Sequence, residues 1–381
     1  MEPYDALLLV SFGGPEGPDD VLPFLENVTR GRDIPAQRLA EVGAHYHEFG
    51  GRSPINDQCR ALRDAVSADL SAHGIELPVY WGNRNWHPYL ADTLRAMRDD
   101  GVRRAACLVT SAYSSYPGCR QYREDLFDAV APLGGAMAGP DAGVHRLDRL
   151  RHYFNHPGFV QPFVDGTVAA LQRLREEGSR AVRVVFVTHS IPAAMNAASG
   201  DTAGDAGGAY VRQHDEVARV VTEQVAERLG RATPYDLVYC SRSGSPRVPW
   251  LGPDIADHLA NAAAAGADTV VVVPIGFVSD HMEVIWDLDT EAAAAANRLG
   301  LGFARVPTPG TDPRFVAMVR DLLVERATVE RGAAELVTGE PGRAVDRAVV
   351  GRLDPSWDAC PIGCCANPRG ERPAVGGIPL R

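Results

Sequence analysis

The 381-residue chain is 45% hydrophobic and 23% charged, an ordinary balance for a globular protein with a large core. Its 49 acidic and 38 basic side chains give a formal charge of −11, which argues against nonspecific nucleic-acid binding but permits a local basic patch for an anionic ligand. No apolar stretch approaches the ~20 residues of a membrane span, and Met1-Glu2-Pro3-Tyr4-Asp5 lacks the pattern of a secretory signal, so a cytoplasmic protein is expected.

In chain order, three short apolar runs occur in the first half: Ala6–Val10, Val79–Trp81 and Ala105–Thr110. Three more follow at Val182–Val187, Asp236–Tyr239 and Thr269–Pro274. Such continuous runs suit buried parallel strands. Helix-like segments lie between them, at Gln58–Ala72, Leu90–Asp100, Phe159–Glu177, Tyr210–Leu229 and Asp287–Leu299, with a late one at Phe315–Glu330. The alternation predicts an α/β fold of two Rossmann-like domains, each a parallel sheet flanked by helices. The expected division is 1–150, 151–330 and an extension over 331–381, with the first boundary in Gly134–Leu150. No repeat or coiled-coil signal points to an oligomer, so a monomer is expected.

Polar motifs follow the predicted strands, where an open α/β sheet binds its ligands. Ser11-Phe12-Gly13-Gly14-Pro15 permits close backbone approach, to a ligand or within a tight turn. Arg30, Arg32 and Arg52 could fork onto carboxylates or form a solvated basic surface. His45 and His47 could ligate a metal or simply pack. His189 directly follows a strand, so its imidazole could bind a metal, accept a proton or cap the loop. If a helix begins near Ser279, then Glu283, Asp287 and Glu291 share one face at i, i+4 and i+8. A row of like charges needs cations, bases or water. Asp280 and His281 beside it favour a cation or proton path over a plain solvated face.

Seven blocks occur in order: SFGGPEGPDDV, HYHEFGGRSPIN, YWGNRNWHPYL, TSAYSSYPGCRQYRED, VTHSIP, YCSRSGSPRVPWLGPDI and PIGFVSDHMEVIWDLDTEA. On them the chain resembles the ferrochelatase family, in its Gram-positive form, over nearly its full length. The resemblance implies the chelatase fold, with His189 and Glu283 facing each other as catalytic iron-site residues and Asp287 and Glu291 continuing as an acidic path. It also implies porphyrin contacts at Ser53 and Tyr122, with Arg30 and His45 in neighbouring substrate-binding segments. The substrates implied are Fe²⁺ and a porphyrin, with no organic cofactor. Phe12 stands where several Gram-positive relatives carry a tyrosine that could ligate iron, so only packing remains for it. The segment from Pro15 to Arg32 lacks a long apolar lip, which suits coproporphyrin III better than protoporphyrin. A protoporphyrin ferrochelatase and a noncatalytic haem-binding or iron–sulfur sensor are the alternatives.

Seven cysteines in a chain of this kind do not suggest a disulfide framework. Cys360-Pro361-Ile362-Gly363-Cys364-Cys365 resembles the C-terminal segment of ferrochelatases that hold a [2Fe–2S] cluster, which needs four ligands. Cys119 is the candidate fourth, and free or zinc-binding thiols are the competing reading.

Overall fold

A computed structural model describes residues 1–31, 34–133, 146–200, 207–243, 247–338 and 345–376. Arg32 lies outside the described residues. The first apolar run forms β1 (Ala6–Ser11), every residue of which is buried. It pairs in parallel with β2 (Val79–Asn83) on one side and β3 (Arg104–Val109) on the other, and β4 (Arg146–Arg149) joins β3. The second half repeats the arrangement. Here β5 (Val182–His189) is central, β6 (Tyr235–Cys240) and β7 (Thr269–Val273) flank it, and β8 (Gly302–Arg305) joins β7. All six pairings are parallel, giving orders β2-β1-β3-β4 and β6-β5-β7-β8. The expected α/β fold with two parallel, helix-flanked sheets is therefore present.

The first-half helices are α1 (Val21–Val28), α2 (Ala36–Glu48), α3 (Ile55–Ala72), α4 (Leu90–Asp99) and α5 (Gln121–Val130). Then come α6 (Pro157–Glu176), α7 (Ala193–Ala197), α8 (Ala209–Leu229), α9 (Ile255–Ala264), α10 (Ala293–Arg298) and α11 (Pro313–Thr338). One large apolar cluster joins both halves, from Leu7 and Leu9 through Phe159 and Phe186 to Phe315 and Leu323. Each fully buried aliphatic side chain of this kind stabilises the fold by roughly 1.5–3 kcal/mol.

Two strands fall outside the predicted runs, and both are edges. Residues 146–149 read Arg-Leu-Asp-Arg, lie within the expected boundary segment, and are fixed by ions: Asp148 pairs with Arg104 at 2.5 Å. β8 has only four residues, one of them exposed glycine. Both are only four residues long, and β4 is charged at three of its four positions, so neither carries a continuous apolar run. Residues 134–145, which hold the rest of that boundary segment, are not described.

The acidic segment also departs from expectation. Residues Val284–Ala292 form a π-helical stretch that runs directly into α10. The Thr290 hydroxyl donates to the Ile285 carbonyl, five residues back, at 3.0 Å. Widening of this kind clusters at functional sites. No described helix is long and apolar enough to cross a membrane.

Candidate functional site: a His–Glu pair and a buried thiol cluster

In each sheet, the chain leaves the central strand towards opposite sides, and the crevice between the two departing loops is where such sheets take ligands. In the second sheet that crevice lies between the ends of β5 and β7. His189 is the last residue of β5, and Glu283 follows the loop after β7. Gly276 makes their approach possible: a Cβ there would lie 2.3 Å from the Thr188 hydroxyl and 2.7 Å from its backbone. The residues joined only by resemblance are thus brought together. His189 Nε2 lies 3.7 Å from Glu283 Oε2.

His189 Nδ1 sits against the Ser190 carbonyl, which can only accept. Nδ1 therefore carries the hydrogen, and in the neutral ring Nε2 presents a lone pair towards Glu283. The Tyr210 hydroxyl donates to the His189 carbonyl at 2.8 Å, anchoring the backbone behind the ring. His281 Nε2 reaches the same Glu283 oxygen at 3.8 Å, so one carboxylate stands between two imidazoles.

The charges oppose one another. Burial pushes His189 down, but Glu283, Ser190 and Asp287 outweigh it and hold its pKa above the usual value. Burial pushes Glu283 up, yet His189 and then His281 bring it to about 2. His281 is lowered by burial and by His189, against the pull of Glu283. Asp287 is raised to about 7, chiefly by burial and then by Glu283 and Glu291, although a hydrogen bond from Ser241 opposes the rise. Ser241 holds this contact in a left-handed conformation, φ 61°, that costs a non-glycine residue energy. Glu291 is exposed at the outer end of the row.

An aromatic cluster follows β1 in the first half. Phe12, half-buried, meets Phe24 edge-on at 6.3 Å, and Phe24 meets both Tyr46 and Trp86 at 6.0 Å. Burial and then the charge of Glu283 push the Tyr46 phenol up. The Arg84 guanidinium lies over Phe12 at 5.7 Å and over Tyr122 at 4.9 Å. Tyr122 and Ser53 are buried, the latter under Gly14, where a Cβ would meet it at 2.7 Å. His45 stacks on Trp286 at 3.8 Å and 8°, joining α2 to the π-helical stretch. Arg30 is exposed at the end of α1, and Arg52 is engaged by Asp57 at 2.6 Å. Sequence reasoning passed over Arg84, Tyr46 and Trp286. Their blocks were visible, but only the fold carries them to the cleft.

A second cluster lies elsewhere. Cys119, from the turn before α5, packs with Cys360, Cys364 and Cys365, and each is at most 2% exposed. Cys364 and Cys365 sulfurs are 3.8 Å apart. The Gly200 amide donates to Cys365 at 3.4 Å. Cys360 is held well below the usual thiol range by hydrogen bonds from Cys119 and Cys364 and by Arg149. Among the described residues, no three His, Cys, Asp or Glu side chains surround one point as ligands of a single ion.

Two switched parallel sheets with a His–carboxylate pair at the second crevice define a chelatase-type α/β protein. The chain belongs to the ferrochelatase family: the family model described as Ferrochelatase matches residues 4–327. It is 58% identical over 377 residues to a coproporphyrin III ferrochelatase of Streptomyces coelicolor, covering 98% of this chain and 96% of that one. A coproporphyrin III ferrochelatase of Streptomyces griseus subsp. griseus is 57% identical, with 98% and 96% covered. A protein of Rhodopirellula baltica called ferrochelatase is 43% identical, covering 100% of this chain and 99% of that one. Among solved structures, SirB from Bacillus subtilis with Fe³⁺ aligns over 89% of this chain and 99% of that one, with 12% identity and a TM-score of 0.45.

Proposed function

We propose that this protein inserts Fe²⁺ into coproporphyrin III, displacing the two pyrrole N–H protons and releasing the iron porphyrin. The observation that carries this reading is the His189–Glu283 pair, 3.7 Å apart at the crevice of the second sheet. Two ligands on one ion, each about 2.0–2.2 Å from it, sit at nearly that separation. An open two-ligand site suits a metal that must leave for the porphyrin. A closed site would retain it.

The reaction needs a group that holds iron and a group that takes protons. Neutral His189 presents Nε2 for either task, and ionised Glu283 stabilises the imidazolium formed when a proton arrives. Asp287, poised near 7, passes a proton outward towards Glu291 and solvent. A planar macrocycle hides its nitrogens, so the partly buried Phe12, Tyr46 and Trp86 serve as the wall against which a bent ring is held, with Phe24 buried behind them. Ser53 and Tyr122 are read as porphyrin contacts, with Arg30 and His45 in the neighbouring substrate-binding segments. The choice of coproporphyrin III rests on the names of the relatives above and on the short polar segment at the entrance. A cytoplasmic monomer accords with this reading.

The four cysteines are read as ligands of a [2Fe–2S] cluster. They are buried, and the Cys364–Cys365 spacing suits two thiolates on one tetrahedral ion, about 3.8 Å for bonds of about 2.3 Å. A zinc ion would need four ligands about one point, whereas each iron of a two-iron cluster takes only two thiolates. Cys119, Cys360, Cys364 and Cys365 would hold the cluster, which would tie the tail to the first sheet.

The test is anaerobic insertion with coproporphyrin III and protoporphyrin competing for Fe²⁺, resolved by HPLC. Preference for coproporphyrin III is expected, and preference for protoporphyrin would overturn the substrate choice. His189→Ala should lose roughly 10²–10⁴-fold in turnover. Tight porphyrin binding without insertion by the wild type would favour a sensor instead.

A further inference from the structure

Two buried guanidinium groups stand beside the thiol cluster without a carboxylate. Arg149 is 2% exposed and Arg123 is 3% exposed. Arg149 donates to the Leu150 carbonyl at 3.1 Å, the Trp357 carbonyl at 3.3 Å and Cys360 Sγ at 3.5 Å, and its Nε has no partner among the described residues. Arg123 donates through Nε to the Val375 carbonyl at 2.6 Å. Both flank Gly376, whose added Cβ would lie 3.6 Å from Arg149 Cβ and 3.9 Å from Arg123 Nε. Neither makes an ion pair within the described residues, although Glu124, adjacent in sequence, is engaged by Arg120.

A buried cation without a counter-charge is strongly unfavourable, and carbonyl oxygens do not neutralise it. The anionic groups within reach are the cysteines. Four neutral thiols leave both cations uncompensated, and a single Cys360 thiolate leaves one. Two ferric ions, two sulfides and four thiolates carry a formal charge of minus two, which matches the two guanidinium groups. His152, buried in the same region, is pushed down to about 3 by burial and then by Arg149, so it adds no third cation.

We propose that Arg149 and Arg123 are the counter-ions of the iron–sulfur centre, which balance its oxidised charge and raise its reduction potential. This rests on the reading of the four cysteines as cluster ligands. The fixed charges act more strongly on the reduced centre, which carries one further negative charge, and hydrogen bonds and net charge are established determinants of such potentials. A metal-free tail would close over two unbalanced cations.

The experiment uses the full chain, purified anaerobically. Iron and labile sulfide are assayed, and the midpoint is measured by spectroelectrochemistry for wild type, Arg149→Met, Arg123→Met and Arg149→Lys. At the wild-type midpoint, each methionine variant should show an about tenfold lower ratio of reduced to oxidised centre, a shift of about 59 mV for one electron. Arg149→Lys should stay within about threefold of wild type. Failure of Arg149→Met to assemble the centre while Arg149→Lys assembles it supports the same need for charge. Failure of both would assign Arg149 to packing and overturn the proposal. Methionine variants with full cluster and an unchanged midpoint would overturn it alone. Wild-type protein with zinc, or without labile sulfide, would overturn the cluster reading as well.

Discussion

Replacing Glu283 by Gln keeps the shape of the carboxylate and removes its charge. At 3.7 Å, a unit charge pair interacts by about 1 kcal/mol in the dielectric of water and by about 4 kcal/mol at an effective value near 20. The side chains of His189 and Glu283 are 31% and 46% exposed, so solvent screening places the interaction in the lower half of that range. At 1.36 kcal/mol per unit, Glu283→Gln should lower the His189 pKa by about 1–2 units. The assay is NMR titration of histidine-labelled, metal-free protein, with His189 assigned from a variant. The sign extends to stability. His189 is raised in the folded state, so its contribution is complete below the unfolded value of 6.5 and fades as pH rises through the folded value. Glu283 is lowered to about 2, so its contribution is present above 4.5 and fades as pH falls towards 2. Wild type and Glu283→Gln should therefore differ most in stability between about pH 4.5 and 6.5 and converge on either side. A His189 titration that moves by less than about 0.3 units would refute the direct pairing of these groups.

Asp287→Asn removes a charge that raises His189, so the acidic limb of the kcat/KM profile for iron should move to lower pH while kcat falls about tenfold or more. Initial-rate measurements from pH 5.5 to 8.5 check both, and an unmoved limb would separate Asp287 from the pair. On the iron–sulfur reading proposed above, Cys119→Ser leaves three thiols, so visible absorption and labile sulfide should be lost together. Full sulfide content in that variant would exclude Cys119 as a ligand. Trp286→Ala removes the stacked contact with His45 across the cleft, and the porphyrin KM should change severalfold while the iron KM does not. Equal changes in both would place Trp286 in general support of the fold.

Much of the scaffold was legible because its central strands are apolar throughout. Ala6–Ser11 and Thr269–Val273 are buried at every position, and that burial is written in the residues themselves. Two of the four edges, β4 and β8, were not legible, and Arg146–Arg149 depends on ion partners such as Arg104 and Glu330 from distant parts of the chain. The Glu283, Asp287, Glu291 row was visible as a pattern, but not its π-helical path, because a widened ladder depends on packing and not on propensity. Cys119 was named as the candidate fourth cysteine although nothing beside it in the sequence marks a ligand. Its place beside the tail is set by where the turn before α5 ends and where the last segment folds back.

The two sheets share one strand order, yet their crevices hold different chemistry. After β1, the first sheet offers Phe12, whose ring has no lone pair to give a metal. After β5 and β7, the second offers His189, His281, Glu283 and Asp287, whose charges hold one another at unequal protonation. A repeated fold has thus been split into an apolar wall and an ionisable floor. For insertion on the proposed reading, this asymmetry matters more than any single residue. A ring pressed against the wall can turn its nitrogens towards one face only, and on that face stand both the group that offers iron and the row that takes the protons. Phe12 sharpens the division, because a ligating side chain at that position would draw iron to the opposite face, away from the acceptors.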